Sequence, residues 1–306
     1  MKQYAVTTFL GLLVLTIAQF LTLSPASEKL RMYFLNVGQG DATFLRFSTG
    51  ENLLIDTGND SAVFRELDKV LPWYDKSIDY VMISHGHMDH LGALLDVLDR
   101  YKIEKIFVSP FFGQLEVEQE ITEKAKSRGT EIVVLKKGDT ITFGTKTTNT
   151  MRILHPDDTC FTIYNDENEC SLVGLLTYGT QTFLFTGDAG EKVEPQIAAQ
   201  IENPITLLKV GHHGSRESSS MEFLNKIKPQ YSVIQSGQDN SYGHPHEEAL
   251  DRLRLASTTV FNTKDDATIV ASSDGTSLEI KKLFDQTGLF QSGVCAVLLY
   301  GFDTSC

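Results

Sequence analysis

Apolar positions along this chain switch between two periods in a regular order. Residues 30–37, 42–47 and 52–55 are short runs rich in β-formers, broken by Gly38-Gln39-Gly40-Asp41 and by Ser48-Thr49-Gly50-Glu51. Such runs and breaks predict an antiparallel meander. The period then lengthens. Val63, Phe64, Leu67 and Leu71 fall on one face of a helix that starts at Ser61, a favoured N-cap residue. Residues 80–84 read as a buried strand, and Leu91, Leu94, Leu95 and Leu98 as the apolar face of a helix running to about Tyr101. A strand at 106–109 and a helix at 115–127, closed by Gly129, complete this first series.

A second series has the same grammar. Strands are expected at 131–135, 139–143 and 151–154, the last ending at His155-Pro156. Residues 171–178 and 182–186 make a hairpin over Gly179-Thr180, followed by a helix at 191–201 and a strand at 205–210. A helix at 221–227, a strand at 231–235, a helix from His246 or Glu247 to Ala256, and a hairpin of 268–272 with 277–280 finish the pattern. Two sheet-then-helix series predict two sheets face to face with helices outside, in one domain spanning about 28–283. Residues 284–306 form a tail without a clear pattern, and its apolar run at 294–300 is far too short to span a membrane.

Composition adds limits. The chain has 306 residues, 41% hydrophobic and 22% charged, which suits a folded protein with a sizeable core. A net charge of −13 repels polyanions at long range, so a general nucleic-acid surface is not expected. Bound cations would still create a local site for an anion. At the amino terminus Lys2 precedes an apolar stretch at 9–23, and Ser24 and Ala26 occupy the −3 and −1 positions of a cut before Ser27. Residues 1–26 therefore read as a signal peptide, with a membrane anchor as the alternative, and the protein as secreted or periplasmic. Export makes the four cysteines candidates for disulfides. Nearest-neighbour pairing, Cys160 with Cys170 and Cys295 with Cys306, is preferred among the three possible connectivities.

The chemistry sits in the loop after residues 80–84. His85, His87, Asp89 and His90 follow within six residues, as H-x-H-x-D-H, between a strand end and a helix start. Imidazole and carboxylate are good ligands for divalent transition metals. The 8 histidines, at 85, 87, 90, 155, 212, 213, 244 and 246, fall into four islands, whereas surface histidines without a role would scatter. Each polar cluster also follows a predicted strand: Asn36 to Asp41, Asp56-Thr57-Gly58, His85 to His90, His155, Asp188 and His212-His213. If the strands share an orientation, these loops gather along one edge.

On these motifs the chain resembles the metallo-β-lactamase superfamily, with HGHMDH matching its H-x-H-x-D-H and FTGD supplying its later aspartate, Asp188. Within that superfamily it is similar to the hydrolase domain of bacterial competence (DNA-uptake) channel proteins, through NVGQGD, LIDTG, FTGD, LKVGHHGS and NSYGHP. Those proteins carry a multi-span membrane domain, and this chain reads as an exported relative without one. The resemblance implies an αββα sandwich with two divalent ions, zinc or manganese. It places His85 and His87 on the first metal and Asp89 and His90 on the second, with Asp188 bridging and His212 completing the second. His155 is the candidate third histidine of the first metal, with a strand-end turn as its alternative. Asp89 and Asp188 are the expected catalytic carboxylates. Asp41, Asp56, Lys209, His213, His244 and His246 are candidates for supporting or substrate contacts.

Two adjacent cations lower the pKa of bound water to about 7, so hydroxide is available without a serine or cysteine nucleophile. The expected activity is hydrolysis of a phosphodiester or related ester, small or oligomeric rather than long duplex DNA. A lactone or lactam on the same site is the alternative. A binding module that kept the fold is a third reading, disfavoured because H-x-H-x-D-H and Asp188 are both intact.

Overall fold

The computed structural model describes residues 29–144 and 149–283. The expected leader at 1–26, the tail at 284–306 and the pairing of Cys295 with Cys306 lie outside those residues. The chain opens with β1 (Leu30–Phe34), β2 (Thr43–Arg46) and β3 (Asn52–Ile55), the expected antiparallel meander. Helix α1 (Ala62–Val70) leads to β4 (Ser77–Met82), then α2 (Met88–Leu91), α3 (Leu94–Arg100), β5 (Lys102–Val108), α4 (Glu116–Arg128) and β6 (Glu131–Val134). From β3 to β6 neighbouring strands run parallel, so the loops that follow them emerge on one side.

The second half supplies β7 (Thr140–Thr142), β8 (Asn149–His155), α5 (Cys160–Tyr164), β9 (Val173–Tyr178), β10 (Gln181–Phe185), α6 (Glu194–Ala198) and β11 (Leu207–Lys209). It continues with α7 (Met221–Ile227), β12 (Tyr231–Ile234), α8 (Glu247–Leu255), β13 (Thr259–Asn262), α9 (Thr263–Asp266), β14 (Ile269–Ser273) and β15 (Leu278–Lys282). The strands form an 8-stranded sheet ordered β15-β14-β1-β2-β3-β4-β5-β6 and a 7-stranded sheet ordered β13-β12-β11-β10-β9-β8-β7.

Two differences from the sequence reading concern the arrangement of the sheets and of α6. The closing hairpin does not extend the second series: β14 pairs antiparallel with β1, Leu30 opposite Ser273, and so returns to the first sheet. The helix expected at 191–201 is confined to α6, which begins with Pro195 in its first turn, where a missing N–H costs nothing.

Side-chain alternation explains the layers. In β1, Leu30, Met32 and Phe34 enter the core between the sheets, while Tyr33 faces the helices. In β3, Leu53 and Ile55 point between the sheets and Leu54 points outward onto a second core. Val63 and Leu67 of α1, Leu94, Val97 and Leu98 of α3, and Ile121 of α4 close that outer core. Across the molecule Leu184, Leu208 and Ile234 of the second sheet are covered by Ile197, Phe223, Leu224 and Leu253. Sheets buried on both faces need apolar residues at both parities, which is why several strands lack a clean alternation. Each buried Leu, Ile or Phe contributes about 1.5–3 kcal/mol, so this layered core fixes the strand ends that carry the site. Among the described residues no helix is long and apolar enough to cross a membrane.

Candidate metal centre

The loop after β4 is set by its two ends. The Ile83 amide donates to the Phe107 carbonyl of β5, and His87, in extended conformation (φ −72°, ψ 145°), takes the N-cap position of α2. Asp89 and His90 thus lie in the first turn of a helix. The His90 ring is fully buried. Its Nδ1 lies 3.0 Å from Asp56 Oδ2, and its Nε2 lies 3.3 Å from Asp188 Oδ1. Asp56, in the left-handed region at the end of β3, also accepts from the Ser84 amide (2.7 Å) and the Ser84 hydroxyl (2.8 Å). It therefore locks both the loop and the His90 tautomer, as a carboxylate behind a ligand imidazole does.

The loop after β1 is drawn into the same place. Gly40 (φ +129°) packs so close to Asp89 that an added Cβ would strike the Asp89 carbonyl oxygen. That approach lets the Asp41 amide donate to the Asp89 carbonyl at 3.1 Å. The Asp41 carboxylate then meets Lys209 Nζ at 2.6 Å and His213 Nδ1 at 3.1 Å. Lys209 also donates to the Val210 carbonyl and is buried, so it neutralises Asp41 and does not face substrate.

Asp188, beyond β10, sits at the middle. Its Oδ2 is 3.5 Å from His213 Nε2, 3.7 Å from His212 Nε2 and 4.0 Å from His85 Nε2. Its amide donates to Ser171 Oγ at 3.1 Å, and that hydroxyl lies 3.4 Å from His85 Nδ1. His213 Nδ1 also lies 3.0 Å from the Gln235 carbonyl, leaving Nε2 for Asp89 Oδ2 (3.1 Å) and His90 Nε2 (3.3 Å).

The electrostatics follow from crowding carboxylates where water is excluded. Burial works against charge on His213, but Asp188 and Asp41 outweigh it and raise its pKa to about 10. Burial likewise opposes charge on His90, yet Asp188 and Asp56 hold it well above the ordinary imidazole range. Burial pushes the Asp188 carboxyl up, and the fields of His213 and His90 drive it well below its usual value. His85 and His212 go the other way: burial, with neighbouring imidazoles adding to it, keeps both neutral.

This is a donor set that needs cations. One ligating atom each of Asp41, His90, Asp188 and His213 lies within 4.8 Å of the others. His85 Nε2 is buried without a hydrogen-bond partner, and Asp188 Oδ1 has only the His90 ring near it. Unpaired buried nitrogen and oxygen cost about 1–3 kcal/mol each, a cost that coordination of a divalent ion removes. The residues fit such an ion.

Several expectations need correction. His155 does not join the cluster: its Nε2 lies 2.8 Å from the Glu169 carbonyl and 3.3 Å from Cys160 Sγ, beside the Cys160–Cys170 disulfide. His213, and not His212, holds the buried position. Both have left-handed backbone (φ 46° and 53°), which turns their rings apart and leaves the His212 side chain 25% exposed against 2%. His246 takes the N-cap of α8, and its Nδ1 accepts from the Arg216 amide at 3.0 Å. The His244 ring stands 5.4 Å from that of His212, with a buried Nδ1 that lacks a partner. Burial, with His213 next, pulls its pKa down to about 4. Ser84, Ser171 and Gln235 escape a sequence reading, because serine and glutamine carry no metal signal. Only the position of Ser171 two residues before β9 could have pointed to it.

Comparison with known proteins agrees with this architecture. A variant of CmlA beta-hydroxylase superposes with a TM-score of 0.51 at 17% identity, over 80% of this chain and 54% of its own, which speaks for the fold alone. ComE operon protein 3 of Bacillus subtilis is 28% identical over 253 residues, 77% of this chain but 32% of that protein. Competence protein ComA of Neisseria gonorrhoeae is 36% identical over 100 residues, 32% of this chain and 14% of its own length. This chain thus spans a third or less of these relatives. With the metallo-beta-lactamase superfamily model matching residues 35–237, the chain belongs to that superfamily of metal-dependent hydrolases.

Proposed function

We propose that the chain is an exported hydrolase of phosphodiesters or related esters that works with two divalent ions, zinc or manganese. The observation that carries this reading is the position of Asp188, whose two oxygens lie within 3.3–4.0 Å of nitrogens from His90, His213, His212 and His85. A carboxylate with imidazoles on both sides is suited to bridging. His85, His87 and Asp188 would hold one ion; Asp89, His90, His213 and Asp188 the other. When bound, such ions supply hydroxide near neutral pH and offset the charge that develops on the substrate.

The chain's own residues prepare that chemistry. Asp56 and the Gln235 carbonyl fix the ring orientation of His90 and His213, and Ser84 and Ser171 that of His85. Lys209 keeps Asp41 ionised without offering a proton to the substrate. A groove of about 450 Å³, lined by Gln39, Asn59, His87, Met88, Asp89 and Tyr242, leads to the centre. The net charge of −13 disfavours long duplex DNA, which makes short or small phosphodiesters the better substrates.

A lactone or lactam is the second reading, since the same centre can polarise a carbonyl. The test is a panel of bis(p-nitrophenyl) phosphate, short single-stranded DNA, a β-lactam and a homoserine lactone, with manganese and then zinc. Phosphodiester turnover is expected. Turnover of lactam or lactone alone would replace the reading with its alternative. Export is tested by the mass of the mature protein, expected to begin near Ser27; a mass that includes residues 1–26 means a retained anchor.

A further inference from the structure

The imidazoles of the centre are unequally supported. His90 has Asp56 behind it, His213 the Gln235 carbonyl, and His85 the hydroxyls of Ser84 and Ser171. The His87 ring is exposed and meets the His85 ring edge-on, 4.6 Å between centroids, with no hydrogen-bond partner among the described residues.

A carboxylate beside it is also incomplete. Glu167 Oε2 is buried and has no partner. It lies over Gly86, the residue between His85 and His87: a Cβ there would stand 2.7 Å from Glu167 Oε2 and 2.6 Å from Glu118 Oε1. Glycine at 86 is what lets both carboxyls approach this loop. Glu118 is committed elsewhere, its Oε2 accepting from the amides of Gly113, Gln114 and Leu115. Among the described residues Glu167 meets only the Gly86 backbone amide; burial pushes its carboxyl up, and the nearby His87 acts against that rise. The segment bearing Glu167 is closed by the Cys160–Cys170 disulfide and runs directly into Ser171, which contacts His85 and the Asp188 amide. Its position is therefore tied to the centre.

We propose that Glu167 is the positioning residue for His87, accepting the N–H that the ring retains when its other nitrogen turns to a metal. Glu167 would then do for His87 what Asp56 does for His90, holding the tautomer and strengthening the nitrogen that binds. The inference rests on the two-metal reading above but not on the identity of the substrate.

The test is calorimetric titration of the metal-free full chain with zinc, for the natural sequence and for Glu167→Ala, Glu167→Gln and Asp56→Ala. Two binding events are expected in the natural protein. Glu167→Ala should weaken one of them about 10- to 100-fold, the usual loss for such a partner, and leave the other unchanged. Glu167→Gln, which keeps an acceptor oxygen, should lose less, and Asp56→Ala should weaken the other event. A metal-free melting temperature unchanged in Glu167→Ala separates this from a folding defect. Two unaltered events in Glu167→Ala would overturn the inference and leave the two-metal reading standing. A single event in the natural protein would overturn both. The predicted shifts in a protein inactive on every substrate would uphold the inference and remove only the substrate assignment.

Discussion

Two loops supply most of the imidazoles, and they differ in how their side chains are aimed. In the loop after β4 the backbone stays in ordinary regions, with His87 extended and Asp89 and His90 in the first turn of α2. Residue spacing alone then directs the side chains. In the loop after β11 both His212 and His213 are left-handed, which L-residues adopt at a cost of about 1–3 kcal/mol each when the surroundings enforce it. There, adjacent histidines diverge: one is sealed between Asp41, Asp89 and Asp188, the other remains a quarter exposed. Spacing settles assignments where the backbone is regular; where it is strained, the neighbours settle them.

The comparison can be broken most severely at its shared partner. Asp188→Ala removes the central carboxylate that both loops address, and should abolish metal-dependent hydrolysis and bound metal together, read by plasma mass spectrometry and the ester assay. The next variants set the two histidines of the strained loop against each other. His213→Ala should lose one metal, whereas His212→Ala should weaken affinity no more than about tenfold, the low end for a supporting group. Equal losses in a zinc titration would contradict the division between them.

A smaller effect concerns protons. The pKa of His213 is raised to about 10 in the folded, metal-free protein, and that of His90 is raised as well, so the metal-free centre holds extra protons among these rings and their carboxylates. Metal must displace those protons, and apparent affinity should therefore rise with pH until the folded pKa values are passed. Linkage has the complementary sign: the stability these charged rings give the metal-free fold is complete below the ordinary imidazole pKa and lost as pH rises through the raised values. Calorimetry in buffers of different ionisation enthalpy measures the protons released, and no release would contradict the assignment.

The smallest effect is at His155. His155→Ala should leave metal content unchanged and lower the melting temperature by several degrees, since it breaks a buried bond worth about 1–3 kcal/mol.

The pattern of legibility is physical. The meander, the helices and the H-x-H-x-D-H loop were readable because local period and spacing determine them. The return of β14 to β1 was not, since pairing Leu30 with Ser273 depends on the whole intervening chain. The strand β13 and helices α5 and α9 were missed: only Val260 and Phe261 of β13 are apolar, and both helices are a turn or so long. His155 stayed open between a metal ligand and a strand-end turn, because a histidine at a strand end gives the same signal whether its ring faces a metal or, as here, the Glu169 carbonyl. Asp41 was legible as a candidate supporting residue, but its pairing with Lys209 and His213 was not, because other loops bring those side chains to it.

The central claim is that the loops after β4, β10 and β11 converge on Asp188 to hold two divalent ions. Metal content of the natural protein, purified without chelator, tests it most directly. The account predicts about two equivalents of zinc or manganese per chain. No bound metal, together with no activity when metal is added, would contradict it.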